Sequence, residues 1–278
     1  MIFYLLGPVL AGDANLITNS ALVRTLLVAF LITDGKPVSR NGLISLIWQD
    51  PPASAADNIR LHVRHLRKAL ASTNLAERLT TIRGGGGEGG GSAYRLLIEP
   101  GDLDLHIFHE RVAQSQNLMD KGEITQAAVQ LERALQLWRG PAGADSRGSQ
   151  RLALRLDALN EQRLLAWEDL LELRLHLVPP SRVTPDLYTL IAESPLRERS
   201  HSLLMRALYL SGDTVGALAA YENARNLLAE ELGIDPGPEL RRIHQAVIDH
   251  NESIIWDFNC RLLTKYCDSP ALHAAPGR

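Results

Sequence analysis

Cysteine is nearly missing from this chain. Cys260 and Cys267 are the only two in 278 residues, so no disulfide framework holds the fold, and reduced thiols of a cytoplasmic protein are expected. Aromatic residues make up only 5%, which leaves Leu, Ala and Val to fill the core. No excess of one charge is present either: the formal net charge is −3, which argues against bulk coating of nucleic acid. Long apolar runs are absent. The richest, Ala21–Thr33, is too short to span a bilayer and contains Arg24. Met1–Leu10 lacks a basic leader and is broken by Gly7-Pro8, so it does not read as a signal peptide. A soluble protein with no membrane partner is expected.

The signatures of catalysis are missing as well. There is no Gly-x-Ser-x-Gly elbow, no His-Glu-x-x-His and no Walker lysine. The pairs His62/His65 and His106/His109 are each spaced by three but have no Cys or carboxylate partner at ligand spacing, so no metal site is assigned. The glycine run Gly84–Gly91 lacks a following Lys-Ser/Thr and reads as a flexible turn rather than a phosphate cradle. The chain is expected to be neither an enzyme nor the holder of a cofactor.

What the chain does have is a patch of concentrated charge. Between Ser54 and Arg95 there are seven Lys/Arg against three Asp/Glu, whereas residues 105–278 hold 19 against 23. Within the patch, Ile59, Val63, Leu66 and Leu70 recur at helical spacing and form one apolar stripe. The other side carries Arg60, Arg64, Arg67 and Lys68, with His65 among them. Ser54 and Asp57 have the spacing of a capping box, which starts the helix near Ala55. A helix held by one face and cationic on the other suits a DNA groove.

The surrounding pattern extends this reading. Ile2–Leu10 reads as one strand. Leu22 to Leu31 mark a helix that stops before Asp34-Gly35, and a second helix starts at Ser39 as N-cap and runs to Trp48. Gln49-Asp50-Pro51-Pro52 forces a rigid loop before the basic helix. Leu79–Arg83 and Tyr94–Ile98 then form a hairpin around the glycine-rich turn. Three helices followed by a hairpin is the order of a winged helix-turn-helix. From Asp104 onward helical periodicity takes over. Gly122, Ala127, Leu131, Glu132 and Ala134 reappear in register as Gly212, Ala217, Tyr221, Glu222 and Ala224, the second-helix pattern of a tetratricopeptide-like hairpin. A third helical stretch, Ala153–Leu177, is off that pattern. Ser253–Tyr266 reads as a last helix, and the Pro/Ala/Gly-rich end as a disordered tail.

Several segments also carry a family resemblance. Phe3–Val9, Arg24–Leu31, Leu46-Ile-Trp48 with Pro51-Pro52, and Val63–Leu70 look like the OmpR-type DNA-binding domain. Asp102–Phe108, Leu137-Trp-Arg-Gly-Pro141 and Glu231–Leu240 are similar to a bacterial transcriptional activator domain. Together they resemble the Streptomyces antibiotic regulatory protein family, whose members activate secondary-metabolite gene clusters. The resemblance implies an α+β winged helix-turn-helix at 1–103, an all-α tetratricopeptide-like array at 104–252, and an extension at 253–278. It further implies that Leu61, Arg64 and His65 face base edges, that Arg60, Arg67 and Lys68 lie near phosphates, and that Thr81 and Arg83 belong to the wing, with Arg83 aimed at the minor groove. His65 stands where the family usually has Arg, so a ring donor replaces a bidentate fork. The implied partners are promoter DNA with tandem direct repeats, a second copy of the chain on that DNA, and RNA polymerase with its sigma factor, met by the Gln49–Pro52 loop. The rival expectation is a protein-interaction adaptor whose winged helix has lost DNA affinity. Longer relatives append an ATPase module; none is expected here, nor is a receiver domain.

Overall fold

The computed structural model describes residues 1–12, 20–82 and 92–256. The chain divides into two units. One joins Met1–Arg111 to Arg133–Arg163, and the other joins Val112–Glu132 to the chain from Leu164 onward.

In the first unit the apolar N-terminus is not one strand but two short ones, β1 (Phe3–Tyr4) and β2 (Leu10–Ala11), paired antiparallel. Gly7 lies between them at φ 140°, a conformation L side chains rarely adopt, so the chain reverses there. Helix α1 (Ala21–Ile32) ends at Thr33, and Asp34 and Gly35 follow with positive φ. Val38–Ser39 form β3, which the sequence did not announce. The side chain of Ser39 accepts a hydrogen bond from the Gly42 amide and caps α2 (Arg40–Ile47), as its position implied. Helix α3 (Ala55–Ala71) begins where expected but without the capping box. The Ser54 hydroxyl makes no bond to a backbone N–H and instead accepts from the Asn58 side-chain amide at 3.2 Å. Strands β4 (Leu79–Ile82) and β5 (Ala93–Leu96) complete a three-stranded sheet of order β3-β5-β4, with β4 at an edge.

Leu26, Leu27 and Phe30 of α1, Leu43 and Leu46 of α2, and Ile59, Val63, Leu66 and Leu70 of α3 are all buried. Each such side chain contributes about 1.5–3 kcal/mol relative to exposure. This apolar stripe is what fixes the rotation of α3 about its own axis.

The same unit takes in residues well beyond the hairpin. Asp104 opens helix α4 (Asp104–Asp120) and is 1% exposed. Its carboxylate accepts from the amides of Leu5 (2.8 Å), Leu6 (3.0 Å) and Leu105 (2.9 Å). Burial pushes this carboxyl above its ordinary pKa, opposed by those amides and by the Arg139 charge. A strap over residues 139–149 follows helix α5 (Ile124–Leu135) and leads into the long helix α6 (Gln150–Leu177). Arg139 and Gly143 donate their amides to Leu6 and Leu5 carbonyls, Asp145 pairs with Arg24 at 3.2 Å, and Thr25 exchanges hydrogen bonds with Arg147. Ser149 closes the strap by donating its hydroxyl to the Ser45 and Leu46 carbonyls that end α2.

The second unit is helical throughout its described residues: α7 (Thr184–Glu193), α8 (Glu198–Leu210), α9 (Thr214–Leu232), α10 (Pro238–Ile248) and the short α11 (Glu252–Ile255), with parts of α4, α5 and α6. The internal echo is visible in the geometry. Gly122 and Gly212 both have positive φ just before α5 and α9, and Ala127, Leu131 and Ala134 are buried on one as Ala217, Tyr221 and Ala224 are on the other. The off-pattern third stretch is a single 28-residue helix, α6. Charge is buried here. Glu168 accepts from Arg197 (2.7 Å) and Ser200 (2.8 Å), and Glu172 from Arg199 (2.7 Å) and Arg206 (2.9 Å). Burial alone would push Glu172 up, but Arg206 and Arg199 override it and hold its pKa below the usual carboxylate value. The tail beyond Trp256, with both cysteines, lies outside the described residues, as does most of the expected last helix.

Candidate nucleic-acid interface

Helix α3 presents its stripe to the core and its other side to solvent. Arg60, Leu61, Arg64, His65 and Lys68 are exposed, and Leu61 at 37% is unusual for a large apolar side chain. Arg64 and Lys68 form no ion pair or hydrogen bond among the described residues. Arg60 pairs with Asp57 at 3.2 Å, one helical turn back, in an exposed contact of little strength. His62 lies at the edge of the stripe, 6.1 Å from His65 between ring centroids. Burial, and then the charge of His65, hold His62 below the ordinary imidazole pKa. At neutral pH its contribution to the positive face is therefore small.

Arg67 is different. It is half-buried, and its Nε and Nη2 donate to the Leu79 carbonyl (3.2 and 2.9 Å) while Nη2 also reaches the Thr81 hydroxyl (3.3 Å). Two residues assigned from sequence to separate elements are thus brought into contact. Thr81 is exposed on β4; Arg83 and the glycine run lie outside the described residues. Gln49, Asp50, Pro51 and Pro52 are all exposed, and the Gln49 side chain accepts from the Gln150 amide at 3.3 Å, beside the docked Ser149. Among the described residues no group of His, Cys, Asp and Glu is placed to hold a metal ion, and no helix is long and apolar enough to cross a membrane.

Residues 103–248 match the model of the bacterial transcriptional activator domain, and residues 15–86 that of the C-terminal transcriptional regulatory protein domain. The chain belongs to the Streptomyces antibiotic regulatory protein family. Regulatory protein AfsR of Streptomyces griseus is 36% identical over 91% of this chain, and transcriptional regulator RedD of Streptomyces coelicolor 34% over 81%. The chain spans 25% of the length of AfsR and 63% of that of RedD. A solved structure of Mycobacterium tuberculosis EmbR in complex with a low affinity phosphopeptide superposes with a TM-score of 0.78 at 31% identity, over 90% of this chain and 65% of that one. Against the family pattern, the exposed face of α3 was readable from spacing alone. The Asp104 anchor left a trace, an acid between two leucines at a helix start. The Arg67 contact left none, because it depends on a strand twelve residues away.

Proposed function

We propose that this protein is a sequence-specific DNA-binding transcriptional activator of a secondary-metabolite gene cluster. One observation carries the reading: α3 is locked by four buried apolar residues while Arg64 and Lys68 stand exposed on its open face, with no partner among the described residues. Exposed unpaired cations on a rigid helix neutralise phosphates and read guanine edges without first breaking internal bonds. Leu61 and His65 lie beside Arg64 and would meet base edges, the leucine against a thymine methyl. Arg60 and Lys68 would sit on phosphates, and Thr81 and Arg83 would extend the contact from the wing. The family resemblance implies tandem sites, so two protomers on direct repeats are proposed. The exposed Gln49–Pro52 loop and the helical array would then recruit RNA polymerase through its sigma factor.

The test is binding of the purified chain to fluorescent duplexes from its own upstream region against scrambled duplexes, across a salt titration. Selective binding whose salt slope corresponds to about four to six phosphates per protomer is the expected result. No binding at low salt would sink the reading and favour an adaptor that works through the helical array alone.

A further inference from the structure

We infer that Arg67 acts as a positioning residue that couples the wing to the recognition helix, and that Thr81 is its partner in that coupling. This rests on the proposed DNA binding and changes what Arg67 does within it: a bracket between the two DNA-facing elements rather than another phosphate contact.

The geometry begins at the sheet edge. The Arg78 carbonyl accepts from the Leu97 amide at 2.8 Å and so faces the neighbouring strand β5. Backbone groups alternate along a strand, so the next carbonyl, Leu79, points away from β5 toward the open edge of the sheet. An unpaired edge carbonyl needs a partner. Arg67 supplies it with two nitrogens, Nε and Nη2, and Nη2 goes on to Thr81, two residues further along the same strand. A guanidinium is planar, so contact with two points on β4 fixes the direction of the strand relative to α3.

On the helix side, Leu66 and Leu70 are buried on either side of Arg67, which fixes the base of its side chain. Arg64 and Lys68 lie one turn back and one position on, so Arg67 borders the exposed cationic face without sharing its freedom. The Thr81 hydroxyl accepts from Arg67, which leaves its own proton available for a phosphate oxygen. The wing would thus arrive at DNA with its pitch set from the helix.

The test uses the full chain with Arg67→Lys, Thr81→Val and both together. Lysine keeps the charge but cannot bridge two acceptors in a plane. In the free protein, Arg67→Lys should speed hydrogen exchange of the β4 amides, a readout that needs no DNA. On the specific duplex it should weaken binding about tenfold, the loss of a charged hydrogen-bond pair. The salt slope should stay unchanged, because lysine keeps the charge and the Thr81 hydroxyl is neutral, so no cation–phosphate pair is removed. Thr81→Val should lower affinity in the wild-type background and add nothing in the Arg67→Lys background. Wild-type exchange rates at β4, affinity retained in Arg67→Lys, or additive losses in the double variant would each overturn the coupling. Absence of specific binding by the wild-type chain would instead remove the DNA reading, with the exchange measurement still deciding the bracket.

Discussion

The two units use the same residue type in opposite ways. On α3, Arg64 and Lys68 point into solvent and pair with no acid among the described residues, whereas in the helical unit Arg199 and Arg206 are sunk among Glu168, Asp169 and Glu172. An exposed, unpaired cation adds little to stability and is available to an external anion. A buried one is bound to its acids, because removing either partner strands a charge in a medium of low polarity. The fold of the helical unit and the chemistry of the winged helix therefore depend on different arginines. Arg67 stands between these extremes, partly buried and already bonded to β4.

The sharpest way to break the comparison is inside the helical unit. Replacing Glu172 with Ala should destabilise that unit by about 3–5 kcal/mol, since Arg199 and Arg206 lose a shared buried acceptor. A two-step denaturation curve followed by circular dichroism would show it as an earlier first transition, and an unshifted curve would mean that the network is solvated. Next in size is Asp104→Ala, which leaves the buried Leu5 and Leu6 amides unpaired at about 1–3 kcal/mol each. Its effect should appear in the unit that carries α3, lowering DNA affinity only in proportion to the folded fraction. The smallest effect on stability belongs to Arg64→Ala, expected within about 0.5 kcal/mol for an exposed position. That substitution should nevertheless relax base preference by about 1–3 kcal/mol at one position of the site, read by competition among single-base variants. A large drop in melting temperature for Arg64→Ala would erase the contrast between the two sets of arginines.

Legibility in the sequence followed the range of the contacts. Helices α1, α2 and α3 and the β4–β5 hairpin were readable because stripe, cap and turn lie within a few residues of one another. Ser39 is a good example: its cap bond reaches only three residues. The Ser54 capping box failed because the Ser54 backbone sits at ψ 7° rather than in the extended conformation of an N-cap, and its hydroxyl meets the Asn58 side chain instead. Strand β3 was hidden because two residues pair with β5 more than fifty positions later. The repeat in α5 and α9 showed because the buried small residues keep the same spacing in both. The strap did not, because the bonds that dock it to β1, α1 and α2 reach partners more than a hundred residues away. For the site, exposure on α3 was legible for Arg60, Arg64, His65 and Lys68, but not for Arg67, which is half-buried against β4. The division of labour among the arginines was not, since Arg64 and Arg67 look alike in sequence and differ only in what lies across from them.

The strap bears on how such a chain can be inherited. Thr25, the last carbonyls of α2 and the amides of Leu5 and Leu6 all find their partners between Asp104 and Ser149. A recombination event that exchanged only residues 1–103 would join a new winged helix to an old strap, with mismatched hydrogen-bond partners on both sides of the crossover. A chimera meant to transplant operator preference should therefore keep its own strap and exchange only the outward positions of α3. Selection can rewrite the outward face of α3 while leaving the seam beneath it untouched.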